Sequence, residues 1–444
     1  MGIAVARRRY DPRESKTVNP RSHSALGQKP AITLRPVPFG TFLLLVLGVL
    51  LVTEVRLIGT LWVGELLLIP VALVALAAGV RRTDYELWKF VGFYCLTLTA
   101  YIATDLINGT AMNDALRAWA RVGFVIVTLV SMRLILKKSR FNLLPVFIGM
   151  MAGDLVMKRD VPFANLWKYF VSALVISMGL YLIAWFGNRF VYILSCGFLC
   201  AVAVFSVVID SRAVAGFCLI VAGVLGARVI AMRRLKILFP MFFIGGIILA
   251  CLVSWLLLNE TDDTFGRRRN GSNVSRLASI YTAAETVVQH PILGVGSWSQ
   301  LAEAADRHRQ NSARLGQMDD NETTTQNGHS TILQSWTEAG VVASLAFFYY
   351  FWRLLRSVKW MLAKPLDRFY AVELFLLVNG FWNLLFSPFN GAMRIYVGIT
   401  TCICIVLAEE KMLFDRNAAS RRKMLRQIET ERLRGGPVTG LQSA

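Results

Sequence analysis

The sequence predicts an all-α integral membrane protein with about twelve transmembrane helices and one long polar loop, and three observations lead there. Hydrophobic residues make up 55% of the 444 and charged residues only 17%, with a mean hydropathy of +0.51, whereas soluble domains are roughly a quarter charged. Uncharged apolar runs of about 20 residues, each long enough to span a bilayer as a helix, recur along the whole chain. Lys and Arg gather in alternate short connections between those runs, which is the pattern that orients a multi-pass protein.

Taken in order, residues 1–38 form a polar, basic tail. It has no apolar core beside a small-residue cleavage site, so no cleaved signal peptide is expected. Helices follow at roughly 39–57, 61–80, 87–107, 116–136, 141–157, 165–186, 190–208, 213–232 and 237–258. These make a first membrane block over 39–258. The 141–157 run is short and carries Asp154, which suggests a tilted or re-entrant segment, and only Asp210-Ser211-Arg212 divides the apolar stretch 190–232. Residues 259–328 are a polar loop far longer than the other connections, and loops of that size in compact proteins are functional or disordered. Helices at 329–352, 369–386 and 390–408 form a second block over 329–408, and 409–444 is a second basic tail.

An even number of helices puts both termini on one side. Placing them in the cytoplasm assigns 33 of the 48 Lys and Arg to the inner face, including Arg81-Arg82, Lys137-Lys138 and Arg233-Arg234. The net charge of +20 is then largely topological, and no nucleic acid is expected as a partner. The seven cysteines all lie within apolar segments and read as small packing residues, not as a disulfide frame or zinc site.

The remaining basic residues, among them Arg56, Arg117, Arg121, Arg212, Arg276 and Arg394, fall on the outer side, where topology does not call for them. Either they meet lipid headgroups and solvent, or some converge on an anion such as phosphate, which a guanidinium binds through two parallel hydrogen bonds.

Within the long loop, Leu277, Ile280, Tyr281, Ala284 and Val288 recur at helical spacing. This predicts an amphipathic helix over Ser275 to Val288 on the outer membrane surface, capped by Ser275 or Ser272, with Arg276 in its first turn. A cation there opposes the helix dipole, and an anion would meet both the Arg and free N–H groups. His290-Pro291 ends the helix, and Leu293-Gly294-Val295-Gly296 reads as a tight glycine turn, with no dinucleotide or Walker pattern around it.

The segment from Asn327 to Gly340 carries polar groups from the loop into an apolar helix, and polar groups at membrane depth mark function. His329, Ser330, Leu333, Gln334 and Thr337 share one helical side by spacing. A histidine at that mouth suits a general base or a phosphate ligand, because its pKa lies near neutrality, although a lone interfacial histidine is the commoner case. Ser387-Pro388-Phe389-Asn390 leads to Arg394 on the same face. There is no His-x-x-x-His, acidic metal cage or Gly-x-Ser-x-Gly elbow, so neither metal nor cofactor is expected.

In order and position these features resemble the O-antigen ligase and O-antigen polymerase superfamily. The resemblance is carried by Ser211-Arg212 at a helix start, Arg276 followed by the His290-to-Gly296 turn, and His329 with Leu333-Gln334 and Glu338-x-Gly340. It covers most of residues 40–410. Ser330 and Ile332 depart from the Asn and the aromatic residue common there, which leaves the acceptor type open.

The resemblance implies a metal-independent, inverting glycosyltransferase of GT-C architecture in the bacterial inner membrane, with its site facing the periplasm. It would move a glycan from undecaprenyl pyrophosphate to a sugar hydroxyl, on lipid A core for a ligase or on a growing polysaccharide for a polymerase. Arg212 and Arg276 would bind the pyrophosphate and offset leaving-group charge, and His329 would act on the acceptor hydroxyl. To these the outer-face placement adds Arg394 for the pyrophosphate, with Gln334 and Ser330 as glycan contacts. A flippase for lipid-linked oligosaccharide, the reading from another class, predicts charges at mid-depth and broken helices there. The polar motifs here crowd the outer face instead.

Overall fold

A computed structural model describes residues 39–57, 59–77, 84–187, 190–209, 211–233, 263–298, 302–315, 330–389 and 393–433. The predicted helix at 237–258, together with Asp210, His329 and Asn390, lies outside the described residues.

The described chain is a helical bundle. It runs α1 (Phe39–Leu50), a hairpin of β1 (Glu54–Leu57) and β2 (Gly59–Trp62), α2 (Val63–Ala77), α3 (Tyr85–Ile107), α4 (Met112–Lys138) and α5 (Leu143–Met157). A short α6 (Phe163–Leu166) passes through one wider turn, Trp167–Val171, into α7 (Ser172–Phe186), and α8 (Val191–Val208) and α9 (Arg212–Arg233) follow. The long loop holds α10 (Asp263–Gln289) and α11 (Ala302–Arg314), after which come α12 (Thr331–Ala363), α13 (Tyr370–Phe386) and α14 (Met393–Leu433).

Six of the described helices are long and apolar enough to cross a membrane, and four shorter ones are apolar as well. Large apolar side chains such as Phe42, Leu73, Leu106, Ile193 and Ile220 face outward from the bundle, as lipid-facing residues must. The chain is a multi-pass membrane protein.

Several expectations need correction. The chain is not wholly helical. Glu54 pairs with Trp62 and Leu57 with Gly59 in an antiparallel hairpin, so the expected helices 39–57 and 61–80 shorten to Phe39–Leu50 and Val63–Ala77. Alternation in Glu54-Val-Arg-Leu is hidden by the long apolar runs on either side of it. The helix expected from Ser275, with Ser272 or Ser275 as its cap, begins at Asp263, because its first three turns are polar and carry no apolar spacing to mark them. Arg276 therefore sits in mid-helix, and the argument from a free helix start falls. The helix expected at 390–408 continues to Leu433, and the one at 329–352 continues to Ala363. The division at 210–212 holds.

Close approach of backbones organises the first block. Gly149 and Gly153 form a small-xxx-small pair on α5, with Gly149 against Gly48 of α1 and Gly153 against Val49 and Val52. A Cβ on Gly149 would lie 2.9 Å from the Gly48 Cα and still closer to the Leu45 carbonyl. Helices without a hydrophobic driving force between them associate through such contacts. The bundle core is built by Leu87, Phe90 and Tyr94 of α3, Val122, Val125 and Leu129 of α4, Phe347 and Tyr350 of α12, and Ile399 and Ile403 of α14, all buried. Tyr349 of α12 stacks on Phe93 at 4.5 Å and meets Phe90 edge-on at 4.8 Å, locking α12 to α3.

Candidate active site

The loop-to-helix segment that the sequence singles out is held by a break in α12. Ala339 (φ −135°, ψ 21°) and Gly340 (φ 76°, ψ −176°) leave the helical region. Positive φ at Gly340 suits glycine, and any Cβ there would collide with the Ile292 carbonyl. The break frees backbone groups, and a buried backbone polar group must find another partner. The glycine turn supplies it: Val295 N–H donates to Thr337 O and Gly296 N–H to Glu338 O, both at 2.9 Å, while Val341 N–H donates to Pro291 O at 3.0 Å. Trp336 Nε1 donates to the same Pro291 carbonyl at 2.9 Å.

The far end of the turn is pinned by Asp105, at the end of α3. Its carboxylate accepts from Ser297 N–H (2.7 Å), Ser297 Oγ (2.8 Å), Trp119 Nε1 (2.8 Å) and Thr110 Oγ1 (3.0 Å). Residues 290–298 thus strap the kink of α12 to the α3–α4 connection.

Beneath the strap lies a closed ring of hydrogen bonds. An Arg121 nitrogen donates to Glu338, and the other terminal nitrogen donates to Phe389 O at 2.8 Å. Phe389 N–H donates to Gln334 Oε1 at 2.7 Å, and Gln334 Nε2 returns to the Glu338 carboxylate at 3.0 Å. Tyr101 OH also donates to Glu338, at 2.8 Å. Arg121 and Gln334 are 2% and 0% exposed and Glu338 6%, so the ion pair is shielded from water. The rings of Tyr101, Trp298 and Phe389 lie 5.6, 5.3 and 5.1 Å from the guanidinium carbon, within reach of cation–π attraction.

The expected site residues divide between this core and its surroundings. Ser330 caps α12, accepting from Leu333 N–H at 3.4 Å, and donates to Leu384 O at 3.4 Å. Thr331 Oγ1 reaches Ser387 O at 2.9 Å. Gln334 is spent within the ring. Arg394, at the start of α14, is buried and forms a two-nitrogen pair with the fully buried Glu65 of α2. Arg212 is the exposed first residue of α9, and Arg276 is half-buried in α10. The three arginines thus enter on three helices other than the one that carries Ser330 and Gln334. α10 packs on α12 and on α11, where Asn311 Nδ2 reaches Thr282 Oγ1 and Glu285 at 3.3 Å.

Sequence reasoning missed Arg121 and Glu338 as a pair. Each had been noted, one among the outer basic residues and the other within the α12 motif, but their partnership spans 217 residues. The available signal was an Arg and a Glu each inside an apolar run.

At the other end of the bundle, the carboxylates of Asp367, Glu373 and Glu410 lie within 4.8 Å of one another, as metal ligands do. Lys364 Nζ stands among them at 3.1, 2.8 and 3.3 Å, and Arg140 pairs with the same three. The ammonium and guanidinium take the place of a cation. Burial works against the charge of Lys364, but Glu373 and Asp367 outweigh it and hold its pKa above that of an ordinary lysine.

Two comparisons with known proteins bear on this geometry. The family model for O-antigen ligase matches residues 207–348. That range takes in Arg212, Arg276, the strap, His329 and the kink of α12, and leaves out Arg121, Glu65 and Arg394. A comparison with curated proteins finds no match.

Proposed function

We propose that this chain, which carries an O-antigen ligase domain across residues 207–348, is an inverting membrane glycosyltransferase of the ligase type. It takes a glycan from undecaprenyl pyrophosphate and joins it to a sugar hydroxyl of lipid A core, on the periplasmic face of the bacterial inner membrane. Both termini lie in the cytoplasm, as the basic inner connections require, and the architecture is of the GT-C kind.

The acceptor oxygen attacks the anomeric carbon, the bond from that carbon to the phosphate oxygen breaks, and the pyrophosphate leaves with the electron pair. His329 takes the hydroxyl proton. Arg212 and Arg276 bind the pyrophosphate and stabilise the charge that grows on it, which lets the reaction proceed without a metal ion. Arg394 has its charge matched by Glu65, so its part is to hold α14 against α2 near the site, with direct phosphate contact requiring that pair to open. Ser330 and Gln334 shape the mouth of α12.

The observation that carries this reading is the coincidence of the family match with Arg212, Arg276 and His329 in a multi-pass protein. The test is complementation of a deletion strain with wild type, Arg276→Ala and His329→Ala, with membrane levels checked by blot. Normal insertion with loss of glycan-capped lipopolysaccharide is expected. Loss of long chains with single repeats still attached would replace the ligase by a polymerase, and wild-type behaviour of both variants would remove the assignment.

A further inference from the structure

The first two turns of α12 are uncoupled from the rest of the helix at Ala339 and Gly340. Thr337 O and Glu338 O, which would normally accept from residues further along, accept instead from the strap, and Val341 N–H turns to Pro291. Residues 331–338 are therefore a separate rod, whose capping residue Ser330 follows His329 in the chain. Besides the strap, side chains set the rod's rotation and height: Ser330 and Thr331 on the end of α13, and the ring through Glu338, Arg121, Phe389 and Gln334.

A buried ion pair is an expensive way to hold helices together. Well-packed apolar residues of similar volume often give equal or greater stability. The ring supplies what apolar packing lacks, a fixed register among α4, α12 and the 387–389 turn, because each of its bonds has one donor, one acceptor and one direction.

We propose that Glu338 and Arg121 are positioning residues of the transfer reaction, whose ring fixes the rod that follows His329 directly in the chain and so bears on the proton transfer assigned to that histidine. This rests on the functional reading above. Neither residue touches the reacting atoms. Misplacement of a reacting group by about 1 Å costs about a hundredfold in rate, and a rod released from its ring can shift by that much.

The test uses the purified full chain in lipid nanodiscs with an undecaprenyl-diphosphate-linked oligosaccharide and lipid A core. The double variant Arg121→Met/Glu338→Leu removes both charges together. We expect it to fold with a lowered melting temperature, because Tyr101 OH, Gln334 Nε2 and Phe389 O lose partners, while kcat per folded molecule falls about a hundredfold, with KM for the donor changed much less. The pH profile of the residual activity should match that of wild type. Wild-type kcat in the folded variant would overturn the proposal, and so would loss of the acid limb of the profile, which would make a member of the ring the base itself. If the double variant does not fold, Gln334→Met opens the ring and spares the ion pair. A fall in its kcat of about tenfold at unchanged pH profile supports the role, and an unchanged kcat ends it. Failure of wild type to transfer glycan at all would instead sink the functional reading and the positioning role with it.

Discussion

The two ends of the bundle both bury charge, and they do it in opposite ways. Under the strap, Arg121 has one carboxylate, Glu338, and the pair is enclosed by Tyr101, Trp298 and Phe389. At the other end, Lys364 and Arg140 share Asp367, Glu373 and Glu410. A second group beside them joins Arg133 to Asp84 and Glu409. The first arrangement is a matched pair in a dry setting, where each member depends on the other. The second is redundant: Lys364 and Glu373 are as buried as the first pair, but Asp367 and Glu410 are 38% and 27% exposed, so surviving partners can cushion a loss. A matched pair specifies geometry, and a redundant network tolerates change.

That contrast can be broken by mutation. The largest effect is expected for Arg121→Met alone, which leaves Glu338 charged and buried without its partner. A loss of about 3–5 kcal/mol follows, read as a fall in the melting temperature of the detergent-solubilised protein. Gly340→Ala should cost on the order of 2–3 kcal/mol in the same assay, since it combines a strained backbone with a collision at Ile292. Asp105→Ala should cost about 1–3 kcal/mol by stranding the donors of Ser297 and Trp119. It should also raise hydrogen exchange at the Val295 and Gly296 amides, and unchanged exchange there would mean that the strap needs no anchor.

The smallest effect belongs to the redundant end. Lys364→Met should cost about 1 kcal/mol, because Arg140 still pairs with Glu373 and Glu410. If Lys364→Met proved as damaging as Arg121→Met, the distinction between the two ends would be lost. The pH dependence sharpens it. With its pKa raised on folding, Lys364 contributes stability that is fully present below the unfolded lysine value of about 10.4 and is lost only as pH climbs through the raised value. The part of the melting difference between wild type and Lys364→Met that comes from the lysine's own charge should therefore fall away only above about pH 10.

Much of this was legible from the sequence because it depends on neighbours in the chain. Apolar runs located most spans, the break at 210–212 stood out by its charges, and Pro291 with two glycines announced the turn after α10. What escaped was long-range. Glycines at 294 and 296 predict a tight turn but do not say that its N–H groups serve carbonyls some forty residues later. Gly340 follows Ala339 inside a helical pattern, and nothing local distinguishes a tolerated glycine from a break. Arg121, counted among the outer basic residues, reads as a headgroup contact until Glu338 is seen opposite it. Gln334 reads as a free polar group at a mouth until Phe389 is found to use its oxygen.

The crossing of Gly48 with Gly149 has a consequence for how the protein is made. Helix α1 docks on a partner encoded about a hundred residues later, and at roughly 5–20 residues per second that partner arrives only about 5–20 s after it. Until then α1 waits in the membrane with its glycine face uncovered, held at the insertion machinery or in lipid. Assembly of the first block is therefore gated by synthesis, and α5 is the element whose emergence closes it.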